Sequence, residues 1–199
     1  MTNSSQADVS ILDLGYGNVE SIRLGFARLG AEVTLVNTPE EVLSADRLVL
    51  PGVGAAGYAM ARLHALGIVD SIRARTKPLL GICLGMQLMF DGSDEADTEC
   101  LALVPGRVRA MAPAPGKPIP HMGWTALHDV APGIGLSDGD HVYFAHSFAC
   151  DDGPATAARM TYAGPLPAAL RNGHLWGAQF HPERSSAPGA AYLKAYLSA

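Results

Sequence analysis

The residues best placed to do chemistry are Cys83 and the two glycines that flank it, Gly81 and Gly85. They lie where an apolar segment, 79–82, gives way to long unbranched side chains at 84–90. The first segment is typical of a buried strand and the second of a helix. This is the spacing of a nucleophile elbow, with cysteine in the place of serine. The start of the helix would direct backbone N–H groups and a positive dipole end at the sulfur, which favours the reactive thiolate.

A buried cysteine between two packing glycines fits the same five residues, so other residues must decide. A catalytic thiol needs a base, and the base needs a group that orients it. His181 follows a predicted strand, 175–180, just as Cys83 follows its own strand. The bend at Pro182 would let Glu183 project to the same side as His181. We therefore predict Cys83 as the nucleophile, His181 as the base and Glu183 as its orienter.

A third motif, Pro-Gly-Val-Gly at 51–54, directly follows a predicted strand at 48–50. In open α/β sheets, ligands bind beyond the carboxyl ends of the strands, and a glycine-rich turn there presents bare amides. A phosphate loop is a weak interpretation because no Gly-Lys-Ser/Thr completes it. An amide donor facing a reacting group is more plausible, and an ordinary tight turn stays open.

The pattern of elements predicts an α/β fold with a mostly parallel sheet covered by helices on both faces, because strands and helices alternate. Asn18 is a candidate cap for the first helix. The acidic stretch 91–99 is interpreted as a solvated loop, 101–111 as a strand and 112–120 as an extended connection. The other predicted strands are 9–14, 32–36, 141–148, 160–162 and 167–170, and the other predicted helices are 58–66, 68–75 and 190–197.

The amino-acid composition limits the classes of protein to which the chain can belong. With 48% hydrophobic and 17% charged residues, the chain is predicted to be globular, as one domain over 8–199 after a flexible segment 1–7. A net charge of −5 does not favour nucleic-acid binding. The absence of a leader or long apolar run, and three cysteines without framework spacing, favour a reducing, cytoplasmic compartment. Because no metal-ligand spacing occurs, no metal and no cofactor are expected.

The motifs at 51–54, 81–87 and 179–183, in that order, resemble those of class I glutamine amidotransferases, which have a flavodoxin-like architecture. Three further motifs, at 15–18, 121–124 and 143–148, are similar to those of the glutaminase subunit of imidazole glycerol phosphate synthase. That resemblance implies a heterodimer in which ammonia from glutamine passes to a (β/α)8-barrel cyclase in histidine biosynthesis. The chain departs from the family at Arg184, where lysine is usual, and at Thr125, where asparagine is usual.

The resemblance also implies roles for individual residues. Cys83 would attack the glutamine amide to form a γ-glutamyl thioester, His181 would shuttle the proton, and Glu183 would orient His181. The oxyanion hole would be formed by the backbone amides of Val53 and Leu84. The residues expected to hold glutamine are Gly52, Gln87, Ser147 and Phe148. The residues expected near the partner are Asn18, Met122, Trp124 and Arg184.

Two alternatives stay open. A related amidotransferase subunit that serves another acceptor, such as a synthase of surface polysaccharide, would share all these motifs. A free-standing cysteine hydrolase or peptidase of similar fold would act without a partner and need not select glutamine. A third possibility, an inactive regulatory binder, is disfavoured because Cys83, His181 and Glu183 are all present.

Overall fold

The computed structural model describes residues 9–199, and the segment 1–7 that was predicted to be flexible lies outside them. The strands are β1 (Val9–Leu12), β2 (Val33–Val36), β3 (Leu48–Leu50), β4 (Leu79–Ile82), β5 (Gly92–Ser93), β6 (Thr98–Glu99), β7 (Arg107–Ala110), β8 (His121–His128), β9 (His141–His146), β10 (Phe148–Cys150), β11 (Thr156–Thr161), β12 (Pro165–Asn172) and β13 (Leu175–Ala178). The α-helices are α1 (Val19–Ala27), α2 (Pro39–Ser44), α3 (Ala56–Ala65), α4 (Val69–Arg73), α5 (Leu84–Gln87) and α6 (Ser186–Leu197). Within the described residues, no helix is long and apolar enough to cross a membrane.

Nine strands form one sheet in the order β2-β1-β3-β4-β13-β12-β11-β8-β9. The first five are parallel neighbours, in the strand order of flavodoxin-like folds. The remaining four extend the sheet by antiparallel pairing. The predicted α/β fold class is confirmed, with the parallel strands as the larger part of the sheet.

The side chains of the central strands alternate between two apolar cores, one on each face of the sheet. In β3, Leu48 and Leu50 pack in the core shared with α3 and α4, whereas Val49 packs in the core shared with α1 and α6. All residues of β3, β4 and β13 are buried. These strands are therefore continuous apolar runs, as expected for a parallel sheet covered on both faces.

The three neighbouring strands β3, β4 and β13 bring the three predicted motifs to one edge of the sheet. The register pairs Leu50 with Gly81 and Gly81 with Gly177, so the carboxyl ends of the strands are level. The turn at 51–54, Cys83 and His181 follow these ends directly or within a few residues. Parallel pairing thus places residues from three distant parts of the chain side by side.

A second sheet of four strands, in the order β10-β7-β5-β6, lies beside the first. The turn between β5 and β6 carries Glu95, whose Oε2 accepts a hydrogen bond of 2.7 Å from the backbone N–H of Ala56. Ala56 is the first residue of α3, which follows the Pro-Gly-Val-Gly turn. The acidic stretch is therefore anchored to the edge of the main sheet and is not simply a solvated loop, which corrects the prediction.

Several predicted elements differ in length from those observed, and three of them show where and how the chain departs from the predicted element. The strand predicted over 101–111 is limited to β7, because the chain turns at Gly106, where φ is +114°. The helix predicted to reach Phe90 ends at Gln87, since the N–H groups of Met89 and Phe90 bond three residues back. The strand predicted over 9–14 is limited to β1, and the chain bends beyond it.

The helix α2 was not predicted, although residues at its start carry a local sequence pattern that is typical of a helix N-terminus. Thr38 and Glu41 form a reciprocal capping box, and Pro39 occupies the first helical position. By contrast, the side chain of Asn18 makes no capping hydrogen bond to α1, which corrects the prediction that it caps this helix. Asn18 instead lines the cavity described below.

The start of α5 and the end of β3 are in backbone contact. A Cβ built on Gly85 would lie 1.9 Å from the carbonyl oxygen of Leu50, and one built on Gly52 would lie 2.4 Å from the backbone nitrogen of Gly85. No real Cβ contact is that short, so only glycine fits at either position. The absence of these two side chains lets the turn after β3 lie against the turn after β4.

We expect Gly85→Ala to lower the free energy of unfolding by about 3 kcal/mol, because its methyl group would force backbone apart in a packed interior. Urea denaturation followed by circular dichroism measures this. Gly153→Ala is the matched control, since a Cβ there meets nothing within 4 Å, and it should change stability by less than about 1 kcal/mol. Equal unfolding midpoints for the two variants would contradict the packing argument.

Candidate active site

Cys83 lies at the turn between β4 and α5 in a backbone conformation that L-residues rarely adopt. Its φ is +52° and its ψ is −111°. Such strain persists only where the surroundings impose it, and it is concentrated at functional sites. The N–H of Cys83 is held at 2.7 Å by the carbonyl of Ala178 at the end of β13. This is the geometry of a nucleophile elbow, which directs the side chain out of the end of the sheet.

His181 and Glu183 lie on the short turn that follows β13. The Nδ1 of His181 is 2.9 Å from Oε1 of Glu183, and only 1% of the Glu183 side chain is exposed. The hydroxyl of Ser185 donates a 2.7 Å hydrogen bond to the carbonyl of His181 and accepts one from the N–H of Tyr143. These contacts fix the ring, and the bond to Glu183 leaves its other nitrogen to face Cys83.

The charge of His181 is set by its neighbours. Burial disfavours the charged ring, but the hydrogen bonds with Cys83 and Glu183 outweigh burial and raise the pKa of His181 to about 10. The ring therefore carries a proton at neutral pH. A protonated imidazole beside a sulfur stabilises the thiolate, and a carboxylate behind the ring stabilises the imidazolium.

A cavity of about 390 Å³ opens above Cys83. Nine of the thirteen predicted site residues line it: Asn18, Val53, Cys83, Leu84, Gln87, Ser147, Phe148, His181 and Arg184. Gly52 and Glu183 do not line the cavity but lie behind its wall, Gly52 against the backbone of Leu84 and Gly85 and Glu183 behind His181. Met122 and Trp124 lie outside it on the surface.

Gln179 is a residue of this site to which the sequence analysis gave no role. It is fully buried, and its Nε2 lies 3.8 Å from the sulfur of Cys83. Its Oε1 accepts a 2.9 Å hydrogen bond from Nε2 of Gln87, which also donates to the carbonyl of Phe148 at 3.0 Å. The sequence signal for this residue is a polar amide within an apolar segment that is predicted to be buried. Such an amide is rarely buried without a hydrogen-bond partner, so it predicts one.

Four further cavity residues were also missed: Glu95, Pro120, Ala145 and His146. Glu95 brings a carboxylate to the cavity from the second sheet. The carbonyl of Ala145 lies 3.8 Å from the sulfur of Cys83. No periodicity marks these residues, because they reach the cavity only through the packing of the second sheet and of β9 against α5.

An aromatic face lies at the rim of the cavity, formed by Met122, Trp124, Tyr143 and Arg184. Met122 is 66% exposed and Trp124 is 50% exposed. The rings of Trp124 and Tyr143 meet edge to face at 6.1 Å, and the guanidinium of Arg184 lies 4.5 Å above the Tyr143 ring. Exposed Met, Trp and Arg side chains of this kind are enriched at protein interfaces. Arg184 belongs to both the face and the cavity, so the two are continuous.

Within residues 9–199, no cluster of three or more His, Cys, Asp or Glu side chains could hold a metal ion. The polar side chains that line the cavity are instead a thiol, two imidazoles, two amides, a hydroxyl, a guanidinium and one carboxylate. This set suits nucleophilic attack on a carbonyl group, with proton transfer by the imidazole of His181.

Comparison with known proteins agrees with this chemistry. The family model for class-I glutamine amidotransferases matches residues 10–197. The imidazole glycerol phosphate synthase subunit HisH of Xanthomonas axonopodis pv. citri (strain 306) is 46% identical over 193 residues, which is 96% of each chain. The subunit of the same name from Xylella fastidiosa (strain 9a5c) is 43% identical over the same share of both chains.

Two solved structures share the fold. A glutamine amidotransferase superposes with a TM-score of 0.74 at 21% identity, covering 94% of this chain and 98% of that chain. A chain of PurLQS from Thermotoga maritima gives a TM-score of 0.71 at 19% identity, covering 97% of this chain and 98% of that chain. At these identities the similarity shows the fold alone. The family model spans nearly the whole chain and the curated relatives exceed 40% identity, so the chain belongs to the class-I glutamine amidotransferase family.

Proposed function

We propose that this chain is the glutaminase subunit of an imidazole glycerol phosphate synthase, acting in the cytoplasm as a heterodimer with a (β/α)8-barrel cyclase. It hydrolyses glutamine to glutamate and ammonia, and the ammonia serves the cyclase in histidine biosynthesis. The observation that carries the proposal is the arrangement of Cys83, His181 and Glu183 at the cavity. Nearly full-length relatives that bear the name of this synthase subunit favour it over a polysaccharide synthase or a free-standing hydrolase.

The proposed reaction begins with attack of the Cys83 thiolate on the side-chain amide carbon of glutamine. The backbone N–H groups of Leu84 and Val53 stabilise the negative oxygen that forms, and one such donor is typically worth about 10²–10³ in kcat. The imidazolium of His181 gives its proton to the departing ammonia. His181 then takes a proton from water, whose oxygen attacks the thioester, and glutamate leaves as the thiolate is restored.

Glutamine itself presents an amide, an ammonium and a carboxylate to the cavity. Glu95 is the acidic side chain in the lining, and we assign the ammonium group to it. Gln87, Ser147 and Phe148 form the wall that holds the amino acid, and Gly52 lies behind the lining at Leu84. The negative charge of Glu95 is complementary to the positive ammonium group of glutamine, which gives an acidic loop a role beside the proposed catalytic thiol.

The aromatic face, together with Asn18, is the proposed contact with the cyclase. It lies at the rim of the cavity and carries exposed Met122 and Trp124. A large aromatic side chain held by a neighbouring ring loses little conformational freedom on binding, which is why such residues anchor interfaces. Ammonia released at Cys83 would then leave toward the partner.

The decisive test of the proposal is Cys83→Ala. With the cyclase present, this variant should lose glutamine-dependent synthesis and retain synthesis from added ammonium salt at alkaline pH, because only ammonia production needs the thiol. Product formation measures both. Cys100→Ala is the matched control, since Cys100 is buried away from the cavity, and it should keep both activities. Glutamine-dependent synthesis by Cys83→Ala would refute the assignment.

The second prediction concerns Glu183→Gln, which keeps the shape of the side chain and removes its charge. We expect kcat for glutamine hydrolysis to fall by about three to four orders of magnitude with a much smaller change in KM, because the His181 ring loses its orienting group. The pKa of His181 should also fall, since a cause of its elevation is removed. Steady-state kinetics and NMR titration of the ring measure these effects.

Glu99→Gln, at an exposed position on β6, is the control for loss of a carboxylate. It should leave both kcat and the His181 titration unchanged. If Glu183→Gln hydrolyses glutamine at nearly the parent rate, Glu183 is only a buried structural carboxylate.

The third prediction concerns the partner. Trp124→Ala should weaken binding to the cyclase by at least tenfold, because truncating a central aromatic residue of an interface typically costs about 2 kcal/mol or more. Isothermal titration calorimetry gives the dissociation constant. Leu35→Ala is the control, because Leu35 is 49% exposed on β2, at the opposite edge of the sheet. Equal affinities for the two variants would place the interface elsewhere.

A further inference from the structure

A row of hydrogen bonds runs from Thr125, on the face of β8 that carries buried His121, to the wall of the cavity. The hydroxyl of Thr125 lies 3.0 Å from Nε2 of His121. The Nδ1 of His121 lies 3.2 Å from Nε2 of His146, its directly opposite partner in the sheet. The Nδ1 of His146 lies 2.8 Å from the carbonyl oxygen of Phe148. Both rings are buried.

The carbonyl at one end fixes the direction of every bond in this row. A carbonyl oxygen only accepts, so Nδ1 of His146 must carry its proton. In the neutral ring Nε2 of His146 is then an acceptor, and Nδ1 of His121 must donate to it. Nε2 of His121 is therefore an acceptor as well, and the Thr125 hydroxyl donates to it. One arrangement of protons satisfies all three bonds.

The neutral state of both rings follows from their surroundings. Burial lowers the pKa of His121, and nearby Lys117 adds to the effect. Burial lowers the pKa of His146 to about 4, against the opposing effect of the Phe148 carbonyl. No carboxylate is among the causes that act on either ring, unlike the case of His181. Neutral rings are what the directed row of bonds requires.

The ring of His121 is also held by stacking. It lies between Tyr162 and Phe144, with centroid distances of 4.0 and 5.1 Å and an angle of 24° between planes in each case. The Tyr162 hydroxyl donates a 2.6 Å hydrogen bond to the carbonyl of Pro118, which fixes that ring in turn. The plane of the His121 ring is thus set by packing, and its protonated nitrogen by the Phe148 carbonyl acting through His146.

The far end of the row reaches the nucleophile. The carbonyl of Phe148 accepts from His146 and also from Nε2 of Gln87. Gln87 bonds to Gln179, whose Nε2 lies 3.8 Å from the sulfur of Cys83. The path from Thr125 to Cys83 is therefore continuous. Thr125 follows Trp124 in β8, and because successive side chains of a strand lie on opposite faces, the path begins on the face away from Met122 and Trp124.

We propose that Thr125 is a positioning residue, whose hydroxyl gives the buried Nε2 of His121 its hydrogen-bond donor and thereby holds His121, His146, the Phe148 carbonyl and Gln87 in place at the glutamine cavity. The predicted change in KM rests on the proposed function, glutamine hydrolysis. The predicted protonation of the His121 and His146 rings does not depend on that function.

Three variants test the proposal. Thr125→Val keeps the shape and removes the hydroxyl, and Thr125→Ser restores the hydroxyl. Thr161→Val is the matched control, because the hydroxyl of Thr161 bonds to Nε2 of His128 at the exposed end of β8. Each is produced as the full chain and studied alone by NMR and with the cyclase in glutaminase assays.

The NMR measurement determines the tautomers from ¹⁵N chemical shifts of the imidazole rings at about pH 7.5, well above the ordinary histidine pKa. The parent and Thr125→Ser should show His121 and His146 as neutral rings protonated at Nδ1. In Thr125→Val both rings should keep these tautomers, because the Phe148 carbonyl still directs the row. The ¹⁵N shift of Nε2 of His121 should change because this nitrogen has lost its donor, and an unchanged shift would show that Thr125 does not bond to the ring. A parent ring that is charged or protonated at Nε2 would overturn the proposal, whatever the chain hydrolyses.

In the kinetic measurement, Thr125→Val should raise KM for glutamine by about tenfold, the effect of one buried hydrogen-bonding group left without its partner. The change in kcat should be smaller, since Thr125 does not touch the reacting atoms. Thr125→Ser should restore the parent KM, and Thr161→Val should not alter it. An unchanged KM in Thr125→Val refutes the positioning role. A parent without glutaminase activity refutes the proposed function, and the NMR measurement then decides the inference alone.

Discussion

The backbone contact between the ends of β3 and β4 is the constraint on which the site depends. Gly85 lies so close to the carbonyl of Leu50 that a Cβ would have to sit 1.9 Å from the oxygen. Because α5 starts against β3 in this way, Cys83 is forced into positive φ at the strand end. The same contact brings the turn that holds Val53 to the cavity beside Cys83. The proposed nucleophile and the proposed oxyanion donors are therefore positioned by the same backbone contact.

The parallel part of the sheet adds the base to this arrangement, and this part of the structure was predictable from sequence. Continuous apolar runs identify β3, β4 and β13, and each strand is followed by a motif whose residues could take part in catalysis. Parallel strands place their carboxyl ends at one edge, so Cys83 and His181 were expected to meet. Their place at one cavity follows from the strand order. The capping box of α2 was equally readable, since Thr38 and Glu41 satisfy a purely local rule.

Glu95 and Gln179 could not be predicted as site residues, because their roles arise from contacts between elements with no sequence periodicity in common. Glu95 lies in an acidic stretch whose composition favours solvent exposure, yet the second sheet carries it to the start of α3. In the sequence, Gln179 is an ordinary polar residue at a strand end. Only the structure places its amide between Gln87 and Cys83. Asn18 occupies a capping position without capping, because its side chain faces the cavity.

Two buried histidines at the same cavity show how the partner group decides the charge of a ring. Burial disfavours the charged form of His181, yet its bonds with a thiol and a carboxylate raise the pKa of the ring to about 10. Burial lowers the pKa of His146 to about 4 against the opposing hydrogen bond to the Phe148 carbonyl, and nearby His121 and His181 lower it further. A second cation would repel the first in a medium of low dielectric constant. The proton needed for chemistry is thus confined to His181, and the neutral ring of His146 is free to act as a fixed, directional hydrogen-bond link.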